Sequence, residues 1–248
     1  MPDQPSAFVD NERDRLLELS RQFESASPKK QLQLVPELVN AGEPGLAVLQ
    51  NYLRSQSPQR GASAQPLSSA ELVLGKISTV LYQLNSSQLP ALDSLNGVVA
   101  LNSERNINYQ LLQHLLIQQD FQAADSLTRQ QLCELAGEAA KKRKWLYFTE
   151  VEQFPIADLR TIDRLWWTYS EGKFGFSVQR QLWLAVGQDF SKLWPKIGWR
   201  TGNRWTQYPN EFTWNLSAPR GHLPLSNQLR GVRVIASVFS HPAWSSEP

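Results

Sequence analysis

An aromatic and basic stretch between Trp199 and Arg233 carries the side chains whose types could bind a ligand. It contains three tryptophans, one tyrosine, one phenylalanine and five arginines, against the single acidic residue Glu211. Aromatic rings stack on flat ligands at a low entropic cost, and guanidinium groups hold carboxylates or phosphates through paired hydrogen bonds. The stretch therefore predicts a site for a large, flat, apolar ligand with acidic groups at its edge.

Proline and glycine residues predict that most of this stretch is a loop, because proline lacks an N–H donor and glycine frees the backbone. A loop with so many bulky aromatic side chains is unusual unless it binds something. We expect Trp194 and Trp199 to anchor the start of the loop in the core. The aromatic residues that we expect to face the ligand are Trp205, Tyr208, Phe212 and Trp214.

Two arginines follow the loop on a helix that we predict to begin at Ser226. Arg230 and Arg233 are three residues apart and would therefore lie on one face of that helix. A solvated basic edge explains any single arginine better than a binding role does. The pair next to an aromatic loop favours anion binding, since two guanidinium groups can clasp acidic groups.

The other reactive residue types form no catalytic pattern. The three histidines lack metal-ligand spacing, and Cys133 lies on an apolar helix face where a free cysteine is usually a small buried hydrophobe. Glu150 and Glu152 do not form a recognisable acid–base pair. The segment GKFGFS lacks the Gly-Lys-Ser/Thr ending of a phosphate-binding loop. We therefore predict that the protein is not an enzyme.

The amino-acid composition limits the classes of protein to which this chain can belong. The 248 residues include 41% hydrophobic and 19% charged residues, as expected of a soluble globular protein, and there is no apolar run long enough to cross a membrane. The N-terminus resembles neither a secretory signal nor a transit peptide, and the single cysteine fits a reducing compartment. The small basic excess is too weak to indicate a nucleic-acid-binding protein.

Charge and tryptophan content divide the chain in two. Residues 1–108 carry nine Lys and Arg against eleven Asp and Glu, whereas residues 109–248 carry sixteen against twelve and hold all nine tryptophans. We predict an N-terminal helical bundle over 1–85, a linker over 86–107 and a core domain over 108–248. Two short helices joined by the turn Gly-Glu-Pro-Gly in the bundle resemble one unit of a helical repeat, although no second copy recurs at a fixed period.

The core domain is predicted to be mainly α-helical with one long aromatic loop. Asp120 is a predicted N-cap, as are Ser27 in the bundle and Ser177. The segment WLYFTEVEQFP is the one strand-like piece, because it is rich in aromatic and β-branched residues. In the helix that follows it, we interpret Asp158 as a first-turn acid and Asp163 as a residue of the polar side.

Three segments of the core domain resemble the tetrapyrrole-binding "genomes uncoupled four" family, the regulators of magnesium chelatase in oxygenic phototrophs. They read LRTIDRLWWTYSEGKFGFSVQRQLW, KLWPKIGW and FTWNLSAPRGHLP. The motifs DL-x-TID-x-LW, GKFGFSVQ and APRGHLP occur in that order, and the resemblance covers about residues 108–244. The helices over about 1–85 resemble the extension of cyanobacterial members.

The resemblance implies a mostly helical protein that binds protoporphyrin IX and magnesium-protoporphyrin IX. It also implies stimulation of magnesium chelatase together with the large porphyrin-binding subunit, without catalysis by the protein itself. The two propionates would be the acidic groups that Arg230 and Arg233 clasp. Tyr208 departs from the tryptophan of relatives, although a phenol can still stack. The full set of ligand-binding residues that we predict is Trp205, Tyr208, Phe212, Trp214, Arg230, Arg233, Phe148 and Leu229.

The remaining expectations concern the cellular location, the oligomeric state and the alternative functions. We expect a cytoplasmic monomer, peripheral association with thylakoid membranes, no bound nucleic acid and no covalently bound cofactor. The main alternative is a protein-interaction module that docks the chelatase large subunit without a small ligand of its own. An enzyme acting on tetrapyrroles and a binder of single-stranded nucleic acid are the weaker alternatives.

Overall fold

A computed structural model of the chain describes residues 6–56, 67–84, 97–225 and 232–245, with side chains from residue 13 onward. The chain divides into two compact units, Met1–Val98 and Val99–Pro248. Both are built from helices in the described ranges, which confirms the predicted mainly α fold. The linker that we predict over residues 86–107 stays a prediction. No helix among the described residues is both long and apolar enough to cross a membrane.

The first unit packs its helices around one apolar core. Gln31 is buried at the centre, where its side-chain amide donates to the Phe23 carbonyl at 2.9 Å and to the Tyr52 hydroxyl at 3.1 Å. Gly45 is required by close approach, since a Cβ there would lie 1.9 Å from the Leu38 carbonyl oxygen. The helices of this unit are α1 (Ser6–Ser25), α2 (Pro28–Asn40), α3 (Glu43–Ser55) and α4 (Ser69–Leu84).

The second unit is a set of short helices with one small hairpin. Its first helices are α5 (Gln110–Ile117), α6 (Phe121–Leu135), α7 (Glu138–Arg143) and α8 (Phe148–Val151). They are followed by α9 (Ile156–Tyr169), α10 (Phe176–Ala185) and α11 (Phe190–Lys196). The hairpin pairs β1 (Arg200–Thr201) with β2 (Arg204–Trp205) in antiparallel fashion, and α12 (Arg233–Ser240) precedes a 3-10 turn over Pro242–Trp244.

Helix α9 lies at the centre of the second unit, and most of its side chains are buried. The Trp166 ring stacks on Phe121 at 5.9 Å, and its indole N–H donates to Thr128 on α6 at 3.0 Å. Asp158 is also fully buried, and its carboxylate accepts hydrogen bonds from Ser103, Glu104 and Tyr109. Asp158 therefore holds the segment before α5 against α9.

Asp163 is buried, so our placement of it on the polar side of its helix was wrong. Its carboxylate accepts the Ser177 backbone N–H at 2.8 Å and so caps α10 from a distant helix. Ser177 itself lies inside α10, and Gly175 occupies the N-cap position instead. Burial raises the pKa of Asp163 to about 6, although the hydrogen bonds from Ser177 oppose that shift. Sequence patterns show local caps but not a cap supplied from another helix.

Two further predictions about local structure were also wrong. The middle of the strand-like segment forms the short helix α8, where the Glu150 carboxylate accepts the Tyr147 N–H at 2.8 Å and closes the first helical turn. The last helix begins at Arg233, with Val232 outside it, rather than continuing from Ser226. Residues 226–231, which include Leu229 and Arg230, lie outside the described residues.

Candidate functional site

The segment from Trp199 to Leu225, which we call the aromatic loop, builds a small aromatic core of its own. Phe212 keeps only 5% of its surface exposed and lies 4.8 Å from the His222 ring and 5.6 Å from the Trp214 ring. Trp199 packs on Trp194 with nearly parallel planes, 5.5 Å between centroids, as expected for anchors in the core. The loop therefore buries its apolar surface against itself and α11.

The base of the aromatic loop is hydrogen-bonded to the turn before α10. The Gly175 N–H donates to the Leu223 carbonyl at 3.0 Å, and the Gly221 N–H donates to the Lys173 carbonyl at 2.9 Å. The Gln179 amide donates to the carbonyls of Gly221 and Pro224. The motifs GKFGFSVQ and APRGHLP thus hold each other in place. They form the scaffold of the loop.

Gly221 is needed in this scaffold for two reasons. Its φ of +79° is a conformation that favours glycine, and a Cβ at this position would lie 2.8 Å from Leu182 Cδ1 on α10. The close approach brings the loop onto α10 and keeps the aromatic core packed.

His222 is the polar centre of the aromatic core. Its Nδ1 donates to the Ile197 carbonyl at 2.7 Å, and its Nε2 accepts the Thr213 N–H at 3.2 Å, so the ring is neutral. Its own carbonyl accepts the Trp199 indole N–H at 2.7 Å. Burial lowers the pKa of His222, although the hydrogen bond to Ile197 opposes that shift. Because both ring nitrogens are engaged, His222 is not available as an axial ligand for a haem iron.

Acidification is therefore expected to weaken the aromatic core through His222. The histidine pKa is lower in the folded chain than its ordinary 6.5, so the unfolded chain binds more protons as the pH falls below about 6.5. The advantage in unfolding free energy of the wild type over His222→Gln, about 1–3 kcal/mol near pH 7.5, should shrink steadily towards pH 5. Urea denaturation of both proteins across this range checks it. A difference independent of pH would contradict the neutral, hydrogen-bonded ring.

The difference between the two proteins is the useful quantity because other buried groups also titrate here. Burial raises the pKa of Asp125 and of Asp163 to about 6, and those carboxyls favour the folded state as the pH falls. His241, whose pKa burial lowers, acts in the same direction as His222. These contributions are common to both proteins and cancel.

Tyr208 lies at the half-buried edge of the aromatic core. Its ring makes edge contacts with Phe212 and with Trp214, each at 5.7 Å between centroids. The Arg129 guanidinium of α6 lies 4.4 Å from the Tyr208 ring centroid and donates to the Tyr208 hydroxyl. Burial and the nearby charge of Asp125 raise the pKa of Tyr208. This edge therefore combines aromatic surface with a cation, which suits a flat anionic ligand.

Arg129 is a functional candidate that our sequence reasoning missed. It forms an ion pair of 3.3 Å with Asp125 one turn earlier on α6, and that spacing is readable in the sequence. Nothing in the sequence links the pair to Tyr208, which lies 79 residues later. The Asp125 carboxylate also accepts the Leu225 N–H at 2.6 Å, 100 residues away.

A second group of predicted residues meets where α8 packs against α12. The Arg233 guanidinium lies 5.6 Å from the centroid of the half-buried Phe148 ring, and Ser237 donates to the Phe148 carbonyl at 3.0 Å. Cys133 is buried on α6 as predicted. Burial raises the pKa of its thiol, the charge of Glu150 on α8 adds to that shift, and the charges of Arg143 and Arg129 oppose it.

The ring contacts of Trp205 among the described residues are with other partners than Tyr208, Phe212 and Trp214. Trp205 is on β2, 38% exposed, and contacts the Trp194 ring at 5.8 Å and the Arg200 guanidinium at 5.8 Å. Its place in the ligand-binding set stays a prediction. The structure thus brings together Tyr208, Phe212 and Trp214, and separately Phe148 and Arg233. Among the described residues, no group of histidine, cysteine, aspartate or glutamate side chains could hold a metal ion.

Comparison with known proteins identifies two matching families along the chain. The family described as GUN4-like matches residues 102–242, and that described as an ARM-like repeat domain at the GUN4 N-terminus matches residues 8–91. The Ycf53-like protein of Synechocystis sp. is 51% identical over 235 residues, covering 94% of this chain and 97% of that protein. The chloroplastic tetrapyrrole-binding protein of Arabidopsis thaliana is 40% identical over 147 residues, 56% of each chain.

Two solved structures are similar to more than half of this chain. GUN4 from Chlamydomonas reinhardtii has a TM-score of 0.56 at 39% identity, and the match covers 59% of this chain and 96% of that one. The ligand-free GUN4 of Arabidopsis thaliana has a TM-score of 0.52 at 42% identity, over 56% of this chain and 99% of that one.

Proposed function

This chain belongs to the GUN4-like family, and from that premise we propose that it binds protoporphyrin IX and magnesium-protoporphyrin IX. The observation that carries the proposal is the half-buried edge formed by Tyr208, Trp214 and Arg129 over a prepacked aromatic core. A preorganised apolar surface binds a flat ligand well because little side-chain entropy is lost on binding. A relative from Arabidopsis thaliana is named for tetrapyrrole binding, which supports the same ligand class.

In the proposed complex, the arginines bind the two propionates at the edge of the porphyrin. Each of the two propionates can accept paired hydrogen bonds from a guanidinium group. Arg233 and the sequence-predicted Arg230 and Leu229 would contact one side of the ligand, with Phe148 beneath Arg233. Tyr208 and Trp214 would cover the ring face, and Phe212 would support both from inside the core. Trp205 remains in the proposed set as a residue to be tested.

The second part of the proposal concerns what binding achieves. We propose that the protein stimulates magnesium insertion by magnesium chelatase through its large porphyrin-binding subunit, without catalysis of its own. We also propose cytoplasmic location with peripheral contact to thylakoid membranes. The family resemblance supports these points. Purified chelatase subunits assayed with and without the protein should insert magnesium faster with it, and an unchanged rate would contradict this part.

Binding and stimulation are tested separately. The purified protein, without any partner, should co-elute with a dicarboxylic porphyrin in gel filtration. Co-elution with the chelatase large subunit but not with porphyrin would instead favour an interaction module without a ligand of its own. Conversion of the porphyrin to another compound on incubation with the protein alone, detected by chromatography of the extracted pigment, would indicate an enzyme and contradict the proposal.

A further inference from the structure

We propose that Asp125 is the positioning residue of the porphyrin site, because it holds Arg129 against Tyr208 and fixes the end of the aromatic loop at Leu225. This inference rests on the proposed function, since its readout is porphyrin affinity. Asp125 lies on α6 and belongs to neither the loop nor the predicted ligand-binding set.

One buried carboxylate makes both connections. One oxygen, Oδ1, accepts the Leu225 backbone N–H at 2.6 Å, and the other, Oδ2, lies 3.3 Å from Arg129 Nε. Arg129 in turn lies over the Tyr208 ring and donates to its hydroxyl. Asp125 therefore acts on the loop at two points that are separated by seventeen residues of chain.

Burial decides which member of the pair can touch a ligand. The Asp125 side chain has no exposed surface, whereas the Arg129 side chain keeps 38% of its surface exposed. A ligand on the aromatic edge can reach the guanidinium but not the carboxylate. Asp125 therefore acts through Arg129 and Tyr208, and its effect on a ligand is one of positioning.

The protonation of Asp125 gives this arrangement a measurable signature. Burial raises the pKa of Asp125 to about 6, while Arg129, the Leu225 N–H and the Tyr208 hydroxyl oppose the shift. These are the charged and hydrogen-bonding groups that face the carboxylate from α6 and from the aromatic loop. As the pH falls through about 6, the carboxyl becomes neutral and the ion pair with Arg129 is lost. Porphyrin affinity should fall over the same range.

The test is a comparison of Asp125→Asn with the wild type, using deuteroporphyrin IX, a water-soluble porphyrin with two propionates, between pH 5.5 and 7.5. At pH 7.5 the variant should bind about tenfold more weakly, as expected for the loss of one charge-assisted contact. Wild-type affinity should approach that of the variant as the pH falls towards 5.5. The affinity of Asp125→Asn should change less over this pH range than that of the wild type, because its side chain cannot titrate.

Asp158→Asn is the matched control. Asp158 is equally buried and accepts three hydrogen bonds, but its partners Ser103, Glu104 and Tyr109 lie outside the aromatic loop. The control should lose stability yet keep the wild-type affinity and the wild-type pH profile. A shared loss of affinity in both variants would mean that Asp125 contributes only to folding, and would overturn the proposal.

The outcomes distinguish this inference from the function on which it rests. If the wild type does not bind the porphyrin, the proposed function fails. If the wild type binds and Asp125→Asn matches it in affinity and pH profile, only the positioning role fails. Should Asp125→Asn not fold, Arg129→Gln takes its place: loss of the transition near pH 6 supports the proposal, and an unchanged transition overturns it.

Discussion

Replacing Phe212 by alanine is expected to lower the free energy of unfolding of the second unit by about 3–5 kcal/mol. Phe212 is almost fully buried among Trp214, His222 and Tyr208, so its removal leaves a cavity inside the aromatic loop. The loss should weaken porphyrin binding as well, because Tyr208 and Trp214 lose the side chain that fixes their positions. Both effects share one cause, and the affinity should fall even at temperatures where the variant stays folded.

Tryptophan emission during urea denaturation measures the free energy of unfolding of the second unit. All nine tryptophans lie between residues 145 and 244, so their emission reports the second unit alone. Phe212→Leu is the control, since it keeps an apolar side chain of similar volume and should cost less than about 1.5 kcal/mol. A Phe212→Ala protein that unfolds at the wild-type urea concentration would show that the aromatic core does not stabilise the loop.

Removing Arg230 and Arg233 together is expected to weaken porphyrin binding by about ten- to a hundredfold per lost contact, or about 1.5–3 kcal/mol each. The reason is charge-assisted hydrogen bonding to the two propionates. Arg233 lies at the first residue of α12, over the Phe148 ring, where an aromatic face restricts the guanidinium. Dissociation constants of the wild type and of Arg230→Ala/Arg233→Ala, measured at one ionic strength, check the prediction.

A matched control separates specific contacts from general charge. Arg220 lies on the aromatic loop and carries the same charge as Arg230 and Arg233, but its guanidinium donates to the Gln181 side chain at 2.6 Å on an exposed surface. Arg220→Ala should therefore change the dissociation constant less than about threefold, as expected of a screened surface charge. An equal loss of affinity in both proteins would indicate a nonspecific field, and no loss in the double variant would mean that the propionates lie elsewhere.

Local signals in the sequence predicted much of the helical framework. Ser27 and Pro28 mark the start of α2, and Asp120 caps α6 by accepting the Ala123 N–H at 3.0 Å. These predictions succeeded because both partners lie within four residues of each other. The family resemblance is likewise confirmed, since it rests on contiguous motifs that match over residues 102–242.

Contacts between distant residues could not be predicted in the same way. The cap that Asp163 gives to α10 crosses fourteen residues, and the Asp125–Leu225 hydrogen bond crosses one hundred. The error at α8 had a local cause instead. The Glu150 carboxylate accepts the Tyr147 N–H and forms an ion pair of 2.7 Å with Arg143, and the strand-like composition of the segment concealed this capping pattern.

The candidate site was likewise predictable only in part from the sequence. Composition and spacing predicted an aromatic surface and nearby arginines, and Phe148 with Arg233 do lie together. The sequence suggested that Phe212 faces the ligand, but its burial gives it a supporting role inside the loop. Arg129 was missed because a helix residue paired with Asp125 looks like an ordinary surface ion pair until Tyr208 is placed beside it.

Titration of the purified protein with deuteroporphyrin IX tests the central claim most directly. Tryptophan emission and the porphyrin Soret band are followed together, because Trp214 adjoins the proposed ring-binding surface and should be quenched on binding. We expect saturable quenching and a Soret shift at micromolar porphyrin, with one ligand per chain in both signals. The absence of any saturable change, or quenching that rises linearly without a Soret shift, would contradict a porphyrin site on the aromatic loop.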